Sequence, residues 1–295
     1  MELYEAILAR RSVRRYEPRS LDADGRAQVE AAVAAVEPLA AGDRFEVLYH
    51  DVAPGEDLVQ ALGAYGRIVT PPHYLVPYLL PAPGRERGAL DLTGAGFGAQ
   101  QIAVRLAQAG IRSCYVGCLP REEAARAGFG LPAGARLGAA LVYGYEGAGR
   151  RDRLINATVR RAVGATRKLA PERLFYEGTF ERASAPSSDL SPPARLAALL
   201  EAARAAPSAD NAQPWRFLWR EGRLYLYLKR KNLRYGLGGT QAYRWYDGGI
   251  CMANVSLALE ALGLAGQWAL VDGQEGAAPA CPDELEPLAV LSLDR

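Results

Sequence analysis

The sequence predicts an α+β protein built from two related lobes. Three observations carry that prediction. Helical segments closed by glycine alternate with short apolar runs at strand spacing. The same order recurs after about residue 175. Two long glycine-bounded helical segments are alike, AQQIAVRLAQAGI at 99–111 and MANVSLALEALGL at 252–264. Their offset implies a degenerate duplication with a period near 150 residues, although helix and strand also recur by chance in any α+β chain.

The elements follow in order. Tyr4, Ile7, Leu8 and Arg11 have helical spacing, so the chain opens on a short helix. A second helix runs from Leu21 to Leu39, with Asp22 as its cap and Pro38 near its end. Phe45 to Val52 alternates like a strand. Tyr74 to Leu80 is apolar, but Pro77 argues for an edge strand or for none. Gly94 to Gly110 reads as a helix. Cys114 to Gly117 and Ala139 to Tyr145 read as strands around a helix at Arg121 to Gly128. In the second half, Pro192 to Ala206 is a helix. Arg216 to Trp219 and Leu224 to Leu228 are strands joined at Glu221-Gly222. Gly249 to Gly263 is a helix, and Leu288 to Leu293 a closing strand.

Composition narrows the function. The 295 residues include 35 Lys+Arg against 33 Asp+Glu, a net charge of +2. That balance does not suit a dedicated nucleic-acid binder. Four cysteines lack metal-type pairing, and only His50 and His73 stand beside them, so no metal site is expected. MELYEAILARRSVRRY carries Glu2 and Glu5 and does not read as a signal peptide. No apolar run approaches the ~20 residues that span a bilayer. A reduced, cytoplasmic setting is the expectation.

Two motifs stand out. Arg10-Arg11-Ser12-Val13-Arg14 places Arg10 and Arg14 four apart, on one face of a helix end, with a hydroxyl between them. Guanidinium forks and a hydroxyl suit a terminal phosphate; a solvated basic helix end fits the same residues. The second motif is Ala206-Pro207-Ser208-Ala209-Asp210-Asn211-Ala212-Gln213-Pro214-Trp215, an irregular loop between a helix and a strand. Its amides and hydroxyls can meet a polar ring edge, or simply cap the loop locally.

Together these segments resemble the FMN-dependent nitroreductase family, which carries an RRSxR motif near the N-terminus and an APSxxNxQPW loop. Ala109 to Gly117 (AGIRSCYVG) is similar to the family's LGLGSCWVG segment, and Arg167 to Tyr176 (RKLAPERLFY) to its terminal RKPLEEVVHW segment. Here the two principal motifs lie about two hundred residues apart. Glu37 to Gly42 stands where the first half would carry the loop, and Tyr176 to Glu181 where the second half would carry the arginines. The chain thus resembles a fused nitroreductase dimer, a nitroreductase-like fold of two homologous lobes, 1–175 and 176–295, forming an internal pseudo-dimer with one site kept.

The resemblance implies one FMN between the lobes. Arg10, Ser12 and Arg167 would hold its phosphate, with Lys168 beside them, and Arg14 would sit near N1 and O2. The backbone near Val116 or Gly117 would face N5, and Ser208 and Asn211 would cross from the other lobe. Arg11, Tyr115 and Pro207 complete the binding set as members of the same motifs; Tyr115 also reads as packing. Arg67 is the one basic candidate for the ring edge. NAD(P)H would be the co-substrate, a nitro, quinone or related planar molecule the acceptor, and the chain a monomer. Leu228 to Trp245 reads as a long loop or a lid.

Overall fold

The computed structural model describes residues 1–83, 88–149, 152, 154–158, 167–181, 193–271 and 278–294. The first part of the chain contains α1 (Leu3–Ala9), α2 (Ala23–Ala34), β1 (Arg44–Asp51), α3 (Leu58–Leu62), β2 (His73–Leu80), α4 (Ala89–Gln108), β3 (Arg112–Gly117), α5 (Glu122–Gly128) and β4 (Ala139–Gly144). The second contains β5 (Phe175–Glu177), α6 (Pro193–Ala205), β6 (Trp215–Arg220), β7 (Arg223–Lys229), α7 (Tyr243–Ala261), β8 (Gly266–Leu270) and β9 (Leu285–Leu293). The expected start of α6 at Pro192 lies outside the described residues.

One sheet has the order β1-β2-β4-β3 and the other β5-β6-β7-β9-β8. The pairs within each four-strand core are antiparallel, and β5 adds to β6 in parallel. The two cores share one path: a hairpin, a long helix, then two strands, with the last strand inserted beside the hairpin.

Asp22 caps α2 as expected, accepting from the Gly25 N–H at 2.8 Å. The helix stops at Ala34 rather than Leu39, with Ala35 as its C-cap at φ −85° and ψ 5°. The apolar run with Pro77 is an interior strand, not an edge. Leu79 N–H points to the β4 side, where it bonds Arg136 C=O. Pro77, two residues earlier, points the same way. It falls between that bridge and the last β2–β4 rung, Leu75 with Leu141, so no donor is missed. The short strands β5 and β8 have no counterpart in the expected order.

α4 and α7 cross at the centre of the molecule. A methyl group at Gly249 would lie 1.9 Å from Thr93 O, and one at Gly96 would lie 2.1 Å from Tyr246 O. Glycine at both positions is what lets the two backbones meet. The largest apolar cluster draws on both halves: Leu3 and Ile7 of α1 pack with Leu199 of α6, Trp215 and Phe217 of β6, and Ile250 of α7. Tyr4 Oη seals that contact on Ala198 O at 2.9 Å. No described helix is long and apolar enough to cross a membrane.

Candidate active site

A cavity of about 560 Å³ opens between the two halves, a volume within the range of small-molecule and cofactor sites. Its basic wall begins where α1 ends. Arg10 already has φ −57° and ψ 127°, so the arginine motif is not helical. The chain runs extended beside β3, with Ser12 opposite Ser113 and Val13 N–H donating to Ser113 O at 3.1 Å. Strand alternation, not helical spacing, therefore groups Arg10, Ser12 and Arg14 at the cavity, while Val13 turns into the core.

Arg14 is buried, and its Nε and Nη1 have no hydrogen-bond partner. Its backbone is held by Asn156, whose Oδ1 accepts from the N–H groups of Arg14 and Arg15 at 3.0 and 3.1 Å. Arg11 also lines the cavity, but its charge is met by Glu146 at 2.5 Å. Lys168 lines it too, with its ammonium on the carbonyls of Ala205 (3.2 Å) and Ala206 (2.6 Å) at the end of α6. Burial, and then the Arg10 charge, pulls this ammonium down to about 7.

The opposite wall is the loop after α6. Pro207, Ser208 and Asn211 face the cavity. Asp210, Asn211 and Gln213 take φ values of 48°, 53° and 46°, a left-handed conformation that costs free energy for non-glycine residues. Hydrogen bonds hold it. Ser208 Oγ accepts from Gln213 N at 2.9 Å, and Asp247 Oδ2 accepts from Ala209 N at 2.9 Å and from Tyr235 Oη at 2.7 Å. Asn211 Nδ2 and Gln213 Nε2 donate to Arg167 O at 2.9 and 3.1 Å, and Leu169 N donates to Gln213 Oε1 at 2.9 Å. The strap 167–169 is thus sewn to the loop. Arg167 enters through its backbone; its side chain is exposed and does not line the cavity.

β3 and α7 form the floor. Tyr115 and Gly117 line it; Val116 is buried and does not. Gly117 permits close packing, since a methyl there would lie 2.2 Å from Tyr243 Oη. Tyr115 Oη donates to Gln100, Gln100 to Asn254 and Asn254 to Ala202 O, at 2.7, 2.7 and 2.8 Å, a polar chain through both central helices. Arg67 is exposed and away from the cavity. Part of the expected loop or lid at 228–245 reaches the site, because α7 starts at Tyr243 rather than Gly249.

The residues that motif reading did not find are Asn156, Tyr243, Tyr246 and Asp247. Asp247 is fully enclosed, and burial raises its carboxyl to about 7. Cys114 and Cys118 are buried, and burial pushes the Cys118 thiol up to about 12, so neither is a nucleophile near neutrality. Among the described residues, no group of His, Cys, Asp or Glu could hold a metal ion.

A buried guanidinium with unmet donors, a neighbouring arginine and a serine hydroxyl fit the phosphate end of a nucleotide-like cofactor. The family model described as "Putative TM nitroreductase" matches residues 2–233. A solved "putative nitroreductase" from Thermotoga maritima MSB8 is 17% identical; the match covers 99% of this chain and 94% of that one, with a TM-score of 0.56. The NADPH:FMN oxidoreductase of Vibrio harveyi is 16% identical over 54% of this chain and 85% of its own, TM-score 0.40. Nitroreductase A of Vibrio parahaemolyticus is 18% identical over 49% and 68%, TM-score 0.40. No curated protein matches the chain in sequence. With a model match over most of its length, the chain belongs to the "Putative TM nitroreductase" family and has the α+β nitroreductase-like fold.

Proposed function

We propose that this chain is an FMN-dependent oxidoreductase of the nitroreductase type. The observation that carries the reading is the buried Arg14 guanidinium, with Nε and Nη1 unmet, across one cavity from the Pro207–Asn211 loop. Arg10 and Ser12 would hold the phosphate end, and Arg14 would sit near N1 and O2, placing positive charge along that edge of the ring. Gly117, Ser208 and Asn211 would hold the ring system, and Tyr243 and Tyr246 would shield it from water. Bound FMN would supply two-electron chemistry, accepting hydride from NAD(P)H and passing it to a planar nitro or quinone acceptor in a ping-pong cycle. Lys168 and Arg167 act through the loop: the first neutralises the end of α6, the second offers its carbonyl to Asn211 and Gln213.

The same reading treats residues 1–175 and 176–295 as two nitroreductase-like lobes fused into an internal pseudo-dimer. Their equal strand order supports it. So does the division of labour at the cavity, where the arginines come from one half and the loop from the other. Such a chain completes its own cleft and works as a monomer. The test is the visible spectrum of the purified protein. A flavin band that bleaches with NADH or NADPH and returns with a quinone supports the proposal. A colourless protein that takes up no added FMN refutes it, and bound flavin that no nicotinamide reduces leaves a binding protein without turnover.

A further inference from the structure

The second sheet has a far face, turned away from α7. Trp215 and Phe217 of β6 point inward to the main core, and Arg216 between them points outward. There it meets a second cavity of about 250 Å³, walled by Tyr176 and Phe180 on one side and the chain before β9 on the other.

Arg216 is only 6% exposed. A guanidinium keeps its charge at every pH a protein tolerates, and burying a charge is costly unless an opposite charge meets it. Among the described residues Arg216 has no ion-pair partner. Its Nη1 donates to Gln213 O at 3.2 Å and Trp215 O at 2.6 Å, and the guanidinium also bonds the Tyr176 side chain, which fixes its direction without an ion pair. Two more cations line the cavity, Lys229 half-buried and Arg173 exposed at the rim. Neither has an ion-pair partner among the described residues. Burial, and then the Arg216 charge, pulls the Lys229 ammonium below its ordinary value. Glu172 and Glu284 also line the rim; neither forms an ion pair with these cations among the described residues, and the Glu284 charge offsets part of that on Arg216 and Lys229. Three positive groups thus converge on a small space, none of them in an ion pair among the described residues.

We propose that this cavity binds a small oxyanion, the phosphate or carboxylate head of a compact ligand, seated on Arg216 between Lys229 and Arg173. Its volume lies below that of sites for drug-sized ligands and suits a compact group. The site is separate from the flavin cavity and does not depend on the function proposed above.

The test is calorimetric titration of the full chain, with excess FMN filling the other cavity, with inorganic phosphate, and with acetate in parallel, at constant ionic strength. A saturable site for one of them is expected; which anion binds tells phosphate from carboxylate. Arg173→Gln with Lys229→Gln, both outside the core, should weaken that site about tenfold or more by removing charge-assisted bonds. Arg14→Gln, in the other cavity, should leave it intact. Arg216→Gln should abolish it, and the rim variant keeps the test decisive should the buried variant fail to fold. No saturable binding of either anion overturns the proposal. So does binding that survives the rim variant or disappears with Arg14→Gln.

Discussion

Arg14 and Asp247 are buried ionisable groups with opposite situations. Arg14 has donors without acceptors, which the ring-edge acceptors of a bound flavin would satisfy. Arg14→Gln is therefore expected to weaken FMN binding by about ten- to a hundredfold, the worth of one or two charge-assisted bonds. Arg19→Ala should leave it unchanged, since Arg19 is exposed and paired with Glu17. Titration by quenching of flavin fluorescence reads both, and equal affinities in the two variants would remove Arg14 from the site. Asp247 already has its donors, but burial raises its carboxyl from 3.8 to about 7. Between those values the folded chain keeps a proton that the unfolded chain has lost, so this group makes the fold less stable as pH rises from about 4 to about 7. Asp247→Asn should keep bonds to Tyr235 and Ala209 and lose the titration. The melting temperature of the variant relative to the parent, measured without flavin, should then climb across that window. A constant difference, or a falling one, would count against a raised carboxyl. Neither residue's state was legible in the sequence. Arg14 could be named from its motif, but its burial comes from strand pairing that the motif does not specify.

At the scale of elements, the crossing of α4 and α7 sets the site, because it carries Tyr243, Tyr246 and Asp247 under the loop between α6 and β6. Gly249→Ala puts a methyl 1.9 Å from Thr93 O, which the helices can accept only by separating. A loss of about 1–3 kcal/mol is expected from such overpacking, with weaker flavin retention as the floor shifts. Gly128→Ala, at the end of α5 with no atom within 4 Å, should be neutral or mildly stabilising. Denaturant unfolding of the two variants compares them, and equal stability would show that the crossing is looser than its geometry. Glycine-closed helices, the cap at Asp22 and most strands were readable because their signals are local. Pro77 misled because an edge is a property of pairing, not of one residue. Arg10 and Arg14 do share one face, but not as a helix end: positions four apart share a face in a helix and in an extended chain alike. α7 was read too short because its first turn, Tyr243 to Gly248, is aromatic and polar, and it earns its place by packing across the molecule.

At the scale of the whole molecule, one cavity is assembled from both halves of the chain, and that has a stoichiometric consequence. The arginine wall belongs to residues 10–14 and the loop wall to residues 207–211, about two hundred positions apart. Where a fused pair would carry the loop in the first half, Glu37 is hydrogen-bonded through its backbone N–H and C=O to Gln101. The loop motif is absent there, and no arginine cluster occupies 176–181 in the second half. If the lobes are a fused pair with one site retained, the saturated protein should hold one flavin per chain, and a chain running as a monomer on size exclusion should hold it too. Flavin released by denaturation and measured against protein concentration gives the ratio, and light scattering gives the mass. A ratio near two would mean that a second cleft survives without either motif. A ratio near one that exists only in a dimer would mean that the chain still borrows a wall from another copy. A monomer with one flavin is the outcome that the Tyr4–Ala198 bond and the shared core favour, since α1 is already locked onto α6 of the same chain and delivers the arginines directly to the loop.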